Sequence, residues 1–237
     1  MMIDAVLTPA EIDLLPQQDL SRTHCVVFDV LRATSSIITG LAHGAEEIRP
    51  VLTIEEALEY RAARWPGALL GGERFGGRID GFDLGNSPRE YARPGLRRII
   101  TTTTNGTVAL RACEAAREVW AGALLNMRAL EERVRQSGAE RLLLVCAGTF
   151  RELALEDALA AGMLASAFPD AGLTDAAQVT LALYRRYEGR ELAALEQAKN
   201  GQALRAAGRG DDVTWCAQIS KFSAVGILRD GIIRLYV

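Results

Sequence analysis

The stretch His24–Ser36 reads HCVVFDVLRATSS and joins an apolar run directly to a helical pattern. The run His24–Val30 is continuous rather than alternating, as in parallel strands that are covered on both faces. Ala33–His43 continues with the spacing of a helix. The stretch therefore predicts a strand, a turn and a helix, with Asp29 at the end of a buried strand.

Short apolar strands alternate with helical segments along most of the chain. One helix opens with Thr53 and has Glu56 three residues later, which is the pattern of a capping box. Repeated strand–helix units predict an α/β fold, with three layers (α/β/α) around a mostly parallel sheet. The further predicted strands are Glu47–Leu52, Ala68–Gly72, Arg97–Thr103, Glu118–Ala123 and Arg141–Cys146, and the further predicted helices are Thr53–Trp65, Thr107–Ala116, Met127–Ser137 and Glu152–Ala167.

The last third of the chain has a different pattern. Thr174–Ala207 predicts one or two helices, and Val225–Val237 predicts a C-terminal β-hairpin that turns at Asp230-Gly231. No Pro- or Ser-rich linker divides the 237 residues. Residues 1–237 are therefore predicted to form one α/β unit, either as a single domain or with two lobes.

The composition and the missing motifs exclude several function classes. A net charge of −3 argues against a general nucleic-acid binder, because such proteins are usually basic. The four cysteines form no CxxC pair, which argues against structural zinc. Neither GxxxxGK[ST] nor GxSxG occurs, so the P-loop and the serine nucleophile elbow are excluded. No signal peptide or membrane-spanning run is evident, and we expect a cytoplasmic protein without a membrane partner.

Polar or glycine-rich segments follow four of the predicted strands, where open α/β sheets bind their ligands. In the first segment, Asp29 ends a buried strand, and a buried carboxylate is costly without a partner. Mg²⁺ would be such a partner. Arg32, Thr34 and Ser35 follow at a predicted helix start, which favours an anion. The alternative is that Asp29 or Thr34 only caps the helix.

The second segment, Gly71–Pro88, reads GGERFGGRIDGFDLGNSP. Its glycines allow a backbone to approach a ligand closely. The segment also supplies opposite charges and neutral hydrogen-bonding groups, and a loop of this length in a compact domain is often functional. These side chains are those of Glu73, Arg74, Asn86 and Ser87.

The third and fourth segments complete the candidate site. Thr104-Asn105-Gly106-Thr107 lies at a strand-to-helix turn and could form an anion-binding nest. In the fourth segment a strand ends at Cys146, Gly148 follows, and the next helix carries the adjacent acids Glu156 and Asp157. Neighbouring helical residues point about 100° apart, so at most one of the acids faces the site, and Asp157 is slightly favoured. The alternative is that both acids are solvated.

Taken in order, these motifs resemble the 2-phosphosulfolactate phosphatases of coenzyme M biosynthesis. The resemblance rests on FDVLRATSS (Phe28–Ser36), the Gly71–Pro88 segment, TTTTNGT (Thr101–Thr107) and CAGTF…LEDALAAG (Cys146–Gly162), and it extends weakly to Asp211–Lys221. It implies a Mg²⁺-dependent hydrolase that converts (R)-2-phospho-3-sulfolactate to 3-sulfolactate and phosphate. The stretch Arg185–Arg209 matches nothing in it.

The resulting hypothesis gives each residue a role. Asp29, Glu73 and one of Glu156 or Asp157 would hold Mg²⁺, directly or through water, while the remaining groups would bind the substrate's oxyanions. A phosphatase for another phospho-hydroxyacid or phosphosugar, and a non-catalytic anion-binding protein, remain alternatives. A homodimer is expected for an enzyme of this size. The predicted catalytic residues are Asp29, Arg32, Glu73, Arg74 and Asn105, and the predicted substrate-binding residues are Thr34, Ser35, Asn86, Ser87, Thr104, Gly106, Thr107 and Gly148.

Overall fold

The computed structural model describes residues 1–236, which contain strands and helices in alternation. The strands are β1 (Met2–Val6), β2 (Thr23–Phe28), β3 (Glu47–Pro50), β4 (Leu69–Arg74), β5 (Gly77–Arg78), β6 (Arg98–Thr102), β7 (Glu118–Gly122), β8 (Arg141–Cys146), β9 (Gly172–Leu173), β10 (Gly226–Arg229) and β11 (Ile232–Leu235). The helices are α1 (Pro9–Ile12), α2 (Ala33–Ala42), α3 (Ile54–Ala63), α4 (Pro88–Tyr91), α5 (Gly106–Ala112), α6 (Met127–Ser137), α7 (Leu155–Ser166), α8 (Asp175–Tyr187), α9 (Glu191–Gln197), α10 (Lys199–Ala206) and α11 (Gly210–Cys216).

The eleven strands form one sheet in the order β5-β4-β6-β3-β11-β10-β7-β2-β8-β1-β9. One parallel block contains β4, β6 and β3. The other contains β7, β2, β8, β1 and β9. The C-terminal hairpin β10–β11 lies between the blocks and pairs antiparallel with β7 on one side and β3 on the other. Three antiparallel pairings therefore lie between the blocks, so the strands of one block run antiparallel to the strands of the other.

The helices cover both faces of each block because strand side chains alternate between the faces. Val26 and Phe28 of β2 point into an apolar cluster shared with α6 and α7. Cys25 and Val27 point the other way, into a second cluster that also holds Ile48 of the other block. That second cluster contains side chains of α2 and α5, so these two helices pack against both blocks. A third, smaller cluster packs α3 on the far face of β3, β4 and β6.

Local signals account for the ends of several helices. The Glu56 N–H donates to Thr53 Oγ1 at 3.0 Å and so caps α3. The α6 helix ends at Gly138, whose φ of 63° is the left-handed conformation that glycine adopts without strain. These ends agree with the sequence patterns.

The predicted α/β class, the mostly parallel sheet and the C-terminal hairpin are confirmed. The prediction of one or two helices over Thr174–Ala207 is wrong, because α8, α9 and α10 divide that stretch. Val237, the last residue of the predicted hairpin segment, lies outside the described residues. One domain, with or without two lobes, stays a prediction. In residues 1–236, every helix is too short or too polar to cross a bilayer.

Candidate active site

A single cavity of about 400 Å³ collects residues from all four of the predicted segments. Its lining comes from the turns after β2, β4, β6 and β8, together with α10 and the turn that follows it. The α2 and α5 helices, which follow the turns after β2 and β6, lie in the cluster shared by both blocks. The predicted site residues that line the cavity are Asp29, Arg32, Glu73, Asn86, Thr104, Asn105 and Gly148.

Asp29 is 8% exposed and sits where β2 turns into α2. Its Oδ1 accepts a hydrogen bond from the Ala33 N–H at 3.0 Å. The Thr34 hydroxyl fixes the same turn, since Oγ1 accepts from the Asp29 N–H at 3.0 Å and donates to the Asp29 carbonyl at 2.9 Å. Burial raises the pKa of Asp29 to about 7, and the nearby carboxylates Glu73 and Glu156 add to that rise. The site thus holds a carboxylate that would gain from a nearby positive charge.

Glu73 ties together the turns that follow β4 and β6. Its Oε1 accepts from the Thr104 N–H at 2.8 Å, and its Oε2 accepts from the Gly76 N–H at 2.7 Å. The side chain is 8% exposed. Two charge-assisted hydrogen bonds to backbone amides hold this carboxylate in a fixed orientation at the cavity.

Arg32 is the most deeply buried cation that lines the cavity, at 3% exposure. Its Nη1 donates to Asp212 Oδ2 at 2.6 Å, and its Nη2 donates to the Gly76 carbonyl at 3.1 Å. The other carboxylate oxygen of Asp212 accepts from Ser87 Oγ at 2.6 Å. Asp212 lies in α11, so a residue of the C-terminal segment fixes the predicted anion-binding guanidinium.

The adjacent acids of α7 take different positions. Asp157 Oδ1 accepts from the Val30 N–H at 2.8 Å and Oδ2 accepts from the Gly148 N–H at 3.0 Å, so Asp157 joins the turns after β2 and β8. Glu156 Oε1 accepts from Asn200 Nδ2 at 2.7 Å, and Asn200 lines the cavity. Burial raises the pKa of both acids. Both are buried, so the alternative in which they are solvated is wrong.

Thr104 and Asn105 occupy the turn after β6. Thr104 Oγ1 is a buried hydroxyl that has no hydrogen-bond partner within residues 1–236. The Asn105 side chain donates to the carbonyls of Ala147 at 3.1 Å and Phe150 at 3.2 Å, and it accepts from the Phe150 N–H at 3.0 Å. Asn105 therefore connects the two blocks, while the Thr104 hydroxyl is left without a partner in residues 1–236.

Arg74, a predicted catalytic residue, does not line the cavity. Its Nη1 donates to the Glu73 carbonyl at 2.8 Å. Its Nη2 donates to Thr102 Oγ1 at 2.9 Å and to the Leu52 carbonyl at 3.3 Å. These acceptors draw the guanidinium toward β3 and β6, so Arg74 braces the strand ends, and its catalytic role stays a prediction.

Several predicted substrate-binding residues also lie outside the lining and hold the turns instead. Ser35 Oγ donates to the Val30 carbonyl at 2.7 Å. Thr107 Oγ1 accepts from the Thr103 N–H and donates to the Thr103 carbonyl, both at 3.0 Å. Gly106 leaves room for Asp29, since a Cβ there would lie 2.5 Å from Asp29 Oδ2. The predicted substrate-binding residues outside the lining are Thr34, Ser35, Ser87, Gly106 and Thr107, and their role in binding stays a prediction.

Sequence reasoning missed the part of the lining that comes from α10 and its surroundings. Positions 200, 203, 204 and 207 follow helical spacing and share one face. That spacing was a signal inside the stretch that matched no motif. Phe75 and Phe150 were also missed; they stand at the tips of two turns with their ring centroids 6.4 Å apart. The missed lining residues are Leu31, Phe75, Gly76, Gly77, Thr149, Phe150, Asn200, Ala203, Leu204, Ala207 and Arg209.

Asp29 and Glu73 are the carboxylates that would hold a Mg²⁺ ion at the cavity. Within residues 1–236, no three His, Cys, Asp or Glu side chains lie close enough to surround one metal ion. Asp29 and Glu73 both line the cavity, and Mg²⁺ usually takes one or two carboxylates with water and substrate phosphate. A third ligand from Glu156 or Asp157 stays a prediction, and both oxygens of Asp157 already accept amide hydrogen bonds.

Comparison with known proteins gives consistent matches. Residues 9–231 match the family model described as 2-phosphosulpholactate phosphatase. A probable 2-phosphosulfolactate phosphatase of Caldanaerobacter subterraneus subsp. tengcongensis is 37% identical over 223 residues, which cover 92% of each chain. The protein of the same description from Symbiobacterium thermophilum is 38% identical over 228 residues, covering 93% of this chain and 97% of that one. The one from Deinococcus radiodurans is 39% identical over 226 residues, or 93% of each chain.

Proposed function

The chain belongs to the 2-phosphosulfolactate phosphatase family, and on that premise we propose that it hydrolyses (R)-2-phospho-3-sulfolactate to 3-sulfolactate and inorganic phosphate with Mg²⁺ as cofactor. The observation that carries the proposal is that one cavity holds the carboxylates Asp29 and Glu73 beside the guanidinium of Arg32. Hydrolysis of a phosphate ester needs both kinds of group. A guanidinium binds the ester's negatively charged oxygens, and carboxylates would hold the metal ion that helps to position the attacking water.

Arg32 and Thr104 bind different oxygens of the phosphate ester. Arg32 binds phosphoryl oxygens, and Asp212 fixes its orientation through the 2.6 Å contact. The Thr104 hydroxyl, which has no partner in residues 1–236, donates to a further oxygen of the bound ester. Binding thereby satisfies a buried polar atom, and the cost of leaving that atom unpaired is removed.

Asp29 and Glu73 would hold the Mg²⁺ ion. When bound, Mg²⁺ supplies positive charge that offsets the phosphate and stabilises the transition state of displacement. The amide hydrogen bonds that orient Asp29 and Glu73 leave further lone pairs on each carboxylate for a ligand.

Hydrolysis then follows a balanced exchange at phosphorus. The oxygen of a water molecule forms a new bond to phosphorus as the ester P–O bond breaks. One proton of that water ends on the leaving alkoxide, which becomes the hydroxyl of 3-sulfolactate, and the other stays on the phosphate. Arg32 and Thr104 keep the phosphoryl group in place during this exchange, which is the main contribution of a protein to phosphoryl transfer.

Phosphate release from (R)-2-phospho-3-sulfolactate tests the proposal directly. We expect turnover with added Mg²⁺, loss of turnover in excess EDTA, and recovery when Mg²⁺ is restored. Full turnover in EDTA would remove Mg²⁺ from the proposal. Absence of release from this and other phospho-hydroxyacids would instead favour an anion-binding protein without turnover. Homodimerisation and a cytoplasmic location stay predictions.

A further inference from the structure

Arg209 lines the cavity from the turn between α10 and α11. Its guanidinium and that of Arg32 both donate to the Gly76 carbonyl, so the two cations meet at one edge of the cavity. The main chain of Arg209 is held on both sides, because its N–H donates to the Leu204 carbonyl at 2.8 Å and its carbonyl accepts from the Asp212 N–H at 3.1 Å. The side chain therefore projects toward the cavity from a fixed point.

Within residues 1–236, the charges that line the cavity have partners of opposite charge, with the exception of Arg209. Arg32 is paired with Asp212 at 2.6 Å. The two positive charges of the proposed Mg²⁺ are matched by the carboxylates of Asp29 and Glu73. The Arg209 side chain donates, in the same part of the chain, only to a backbone carbonyl. A carbonyl orients a guanidinium without neutralising it, so Arg209 keeps its full positive charge for a ligand.

From this imbalance we propose that Arg209 is a specificity-determining residue of the cavity, and that its guanidinium binds a second acidic group of the substrate, the carboxylate or the sulfonate. The inference rests on the phosphatase activity proposed above. The phosphoryl group lies at Mg²⁺ and Arg32, and the second acidic group lies at the neighbouring guanidinium. Phosphate esters that carry a second acid are thereby preferred over simple esters.

The physical reason is the geometry and charge of the two guanidinium groups. A guanidinium has five N–H donors in a planar fork that fits the oxygens of an oxyanion, and the Gly76 carbonyl occupies only part of the fork of Arg209. Arg32 and Arg209 also repel each other across that carbonyl, and an anion placed beside both reduces the repulsion. An ester without a second acid lacks this contact.

Four phosphate esters that share the same ester carbon test the inference by phosphate release with Mg²⁺ present. They are 2-phospho-3-sulfolactate, which carries both acids, 2-phospholactate, which lacks the sulfonate, 2-phosphooxypropane-1-sulfonate, which lacks the carboxylate, and isopropyl phosphate, which lacks both. The measured quantity is kcat/KM for each ester relative to that for isopropyl phosphate. Comparison of these ratios between variants separates the contact with a second acid from effects on the phosphoryl group.

Arg209→Gln removes the charge and keeps an amide that can donate to the Gly76 carbonyl. We expect the ratio for 2-phospho-3-sulfolactate to fall by about 10- to 100-fold, as for one charge-assisted hydrogen bond, with the change mainly in KM. The ester with one acid that shows the same fall identifies the group that Arg209 binds. An unchanged ratio for all three acidic esters would overturn the inference.

Arg205→Gln is the matched control. Arg205 lies on α10, outside the lining, where it pairs with Glu196, and its side chain is exposed. We expect the ratios of this variant to equal those of the unmodified protein. Arg209→Lys retains the charge without the fork, so it should recover part of the lost ratio. Equal losses in Arg209→Lys and Arg209→Gln, or in Arg205→Gln and Arg209→Gln, would contradict a charge-dependent contact at Arg209.

Calorimetric titration with 3-sulfolactate in the absence of Mg²⁺ gives a readout that does not need turnover. We expect its Kd to rise by about tenfold or more in Arg209→Gln and to stay the same in Arg205→Gln. If 2-phospho-3-sulfolactate is hydrolysed and Arg209→Gln changes neither the ratios nor this Kd, the inference fails and the proposed function stands. If no ester releases phosphate but the Kd rises as expected, the proposed function fails and Arg209 is still the residue that binds an acidic group. Absence of both turnover and binding would overturn both proposals.

Discussion

The cavity is built from two regions. They differ in the sequence separation between the residues that hydrogen-bond to each other. The carboxylate side consists of Asp29, Glu73 and Thr104. Asp29 and Glu73 accept from amides only four and three residues away, and Glu73 also accepts from the Thr104 N–H, 31 residues away. The C-terminal side consists of Asn200, the α10 face and Asp212, and the bond from Asp212 to Arg32 spans 180 residues. The carboxylate side is thus set up by local turns and one contact between neighbouring strand ends, whereas the C-terminal side exists only after the tail has folded back.

This difference predicts different consequences of mutation. Removing a charge from the carboxylate side should affect chemistry more than folding, because short-range contacts keep the turns in place. Removing a charge from the C-terminal side should affect folding and ligand affinity together, because one long-range ion pair does both.

The largest expected effect on activity is that of Asp29→Asn. The amide keeps an oxygen for the Ala33 N–H but loses the negative charge. We expect kcat to fall by roughly 10²–10³-fold, as when one charge-stabilising group is removed from a site. Burial raises the pKa of Asp29 to about 7, so the native state disfavours the charged form. Stability above that pH should therefore be unchanged or higher in the variant.

Phosphate release and thermal unfolding measured on the same Asp29→Asn sample separate the two effects. Near-normal turnover would take Asp29 out of the mechanism. A large drop in the unfolding temperature would show that the charge also supports the fold, which would break the contrast between the two regions.

Asp212→Asn should have the largest effect on stability. The Arg32–Asp212 pair is 3% and 4% exposed at its two side chains, and the variant leaves a buried guanidinium without its counter-charge. Breaking a buried pair in this way costs about 3–5 kcal/mol of unfolding free energy. We also expect KM for the phosphate ester to rise more than kcat falls, because Arg32 loses its fixed orientation.

The neighbouring Asp211 provides a matched control for this variant. Asp211 pairs with Arg89 at 2.8 Å, but the two side chains are 78% and 53% exposed. Asp211→Asn should cost no more than about 1 kcal/mol. Urea unfolding of both variants checks the stability, and Asp212→Glu should recover part of the affinity. Equal effects of the two asparagine variants would contradict the special role of the buried pair.

The smallest expected effect is that of Thr104→Val. The Thr104 hydroxyl has no partner within residues 1–236, so its removal should leave the free protein equally stable or slightly more stable. Ligand affinity should fall by about two- to tenfold, which corresponds to one neutral hydrogen bond of about 0.5–1.5 kcal/mol.

Thr107→Val is the comparison for Thr104→Val. The Thr107 hydroxyl accepts a hydrogen bond from the Thr103 N–H and donates one to the Thr103 carbonyl. Removing it should therefore lower the stability of this variant. For each variant, calorimetry measures the stability to unfolding, and titration with phosphate measures the ligand affinity. If Thr104→Val destabilises the protein as much as Thr107→Val does, the Thr104 hydroxyl is structural.

The sequence was informative about the carboxylate side because its signals are local. A buried strand that ends in an acid, a glycine-rich turn and a threonine-rich turn can each be recognised within a short stretch of sequence, because turn residues act locally. Asp29, Glu73 and Thr104 all line the cavity as expected. The same signals could not tell which hydroxyls face the cavity, and Thr34, Ser35 and Thr107 bond to nearby backbone instead.

Arg74 shows why the sequence alone does not tell which of two neighbouring residues faces the cavity. Successive side chains of a strand point to opposite faces, so Glu73 and Arg74 cannot both face the cavity from β4. The predicted strand ended at Gly72, whereas β4 continues to Arg74, and the choice of face depended on Thr102 and Leu52, which the fold brings to Arg74.

By itself, the sequence determined the α/β class, the central strand–helix units from β2 to α7 and the C-terminal hairpin, because these depend on hydrophobic periodicity and turn residues within short windows. Tertiary structure alone decided that the hairpin separates two opposed parallel blocks. It also decided that α10 and Asp212 complete the cavity, and that four strand ends meet there. These features depend on contacts between residues that are far apart in the chain, and such contacts form only when the whole apolar core is buried at once.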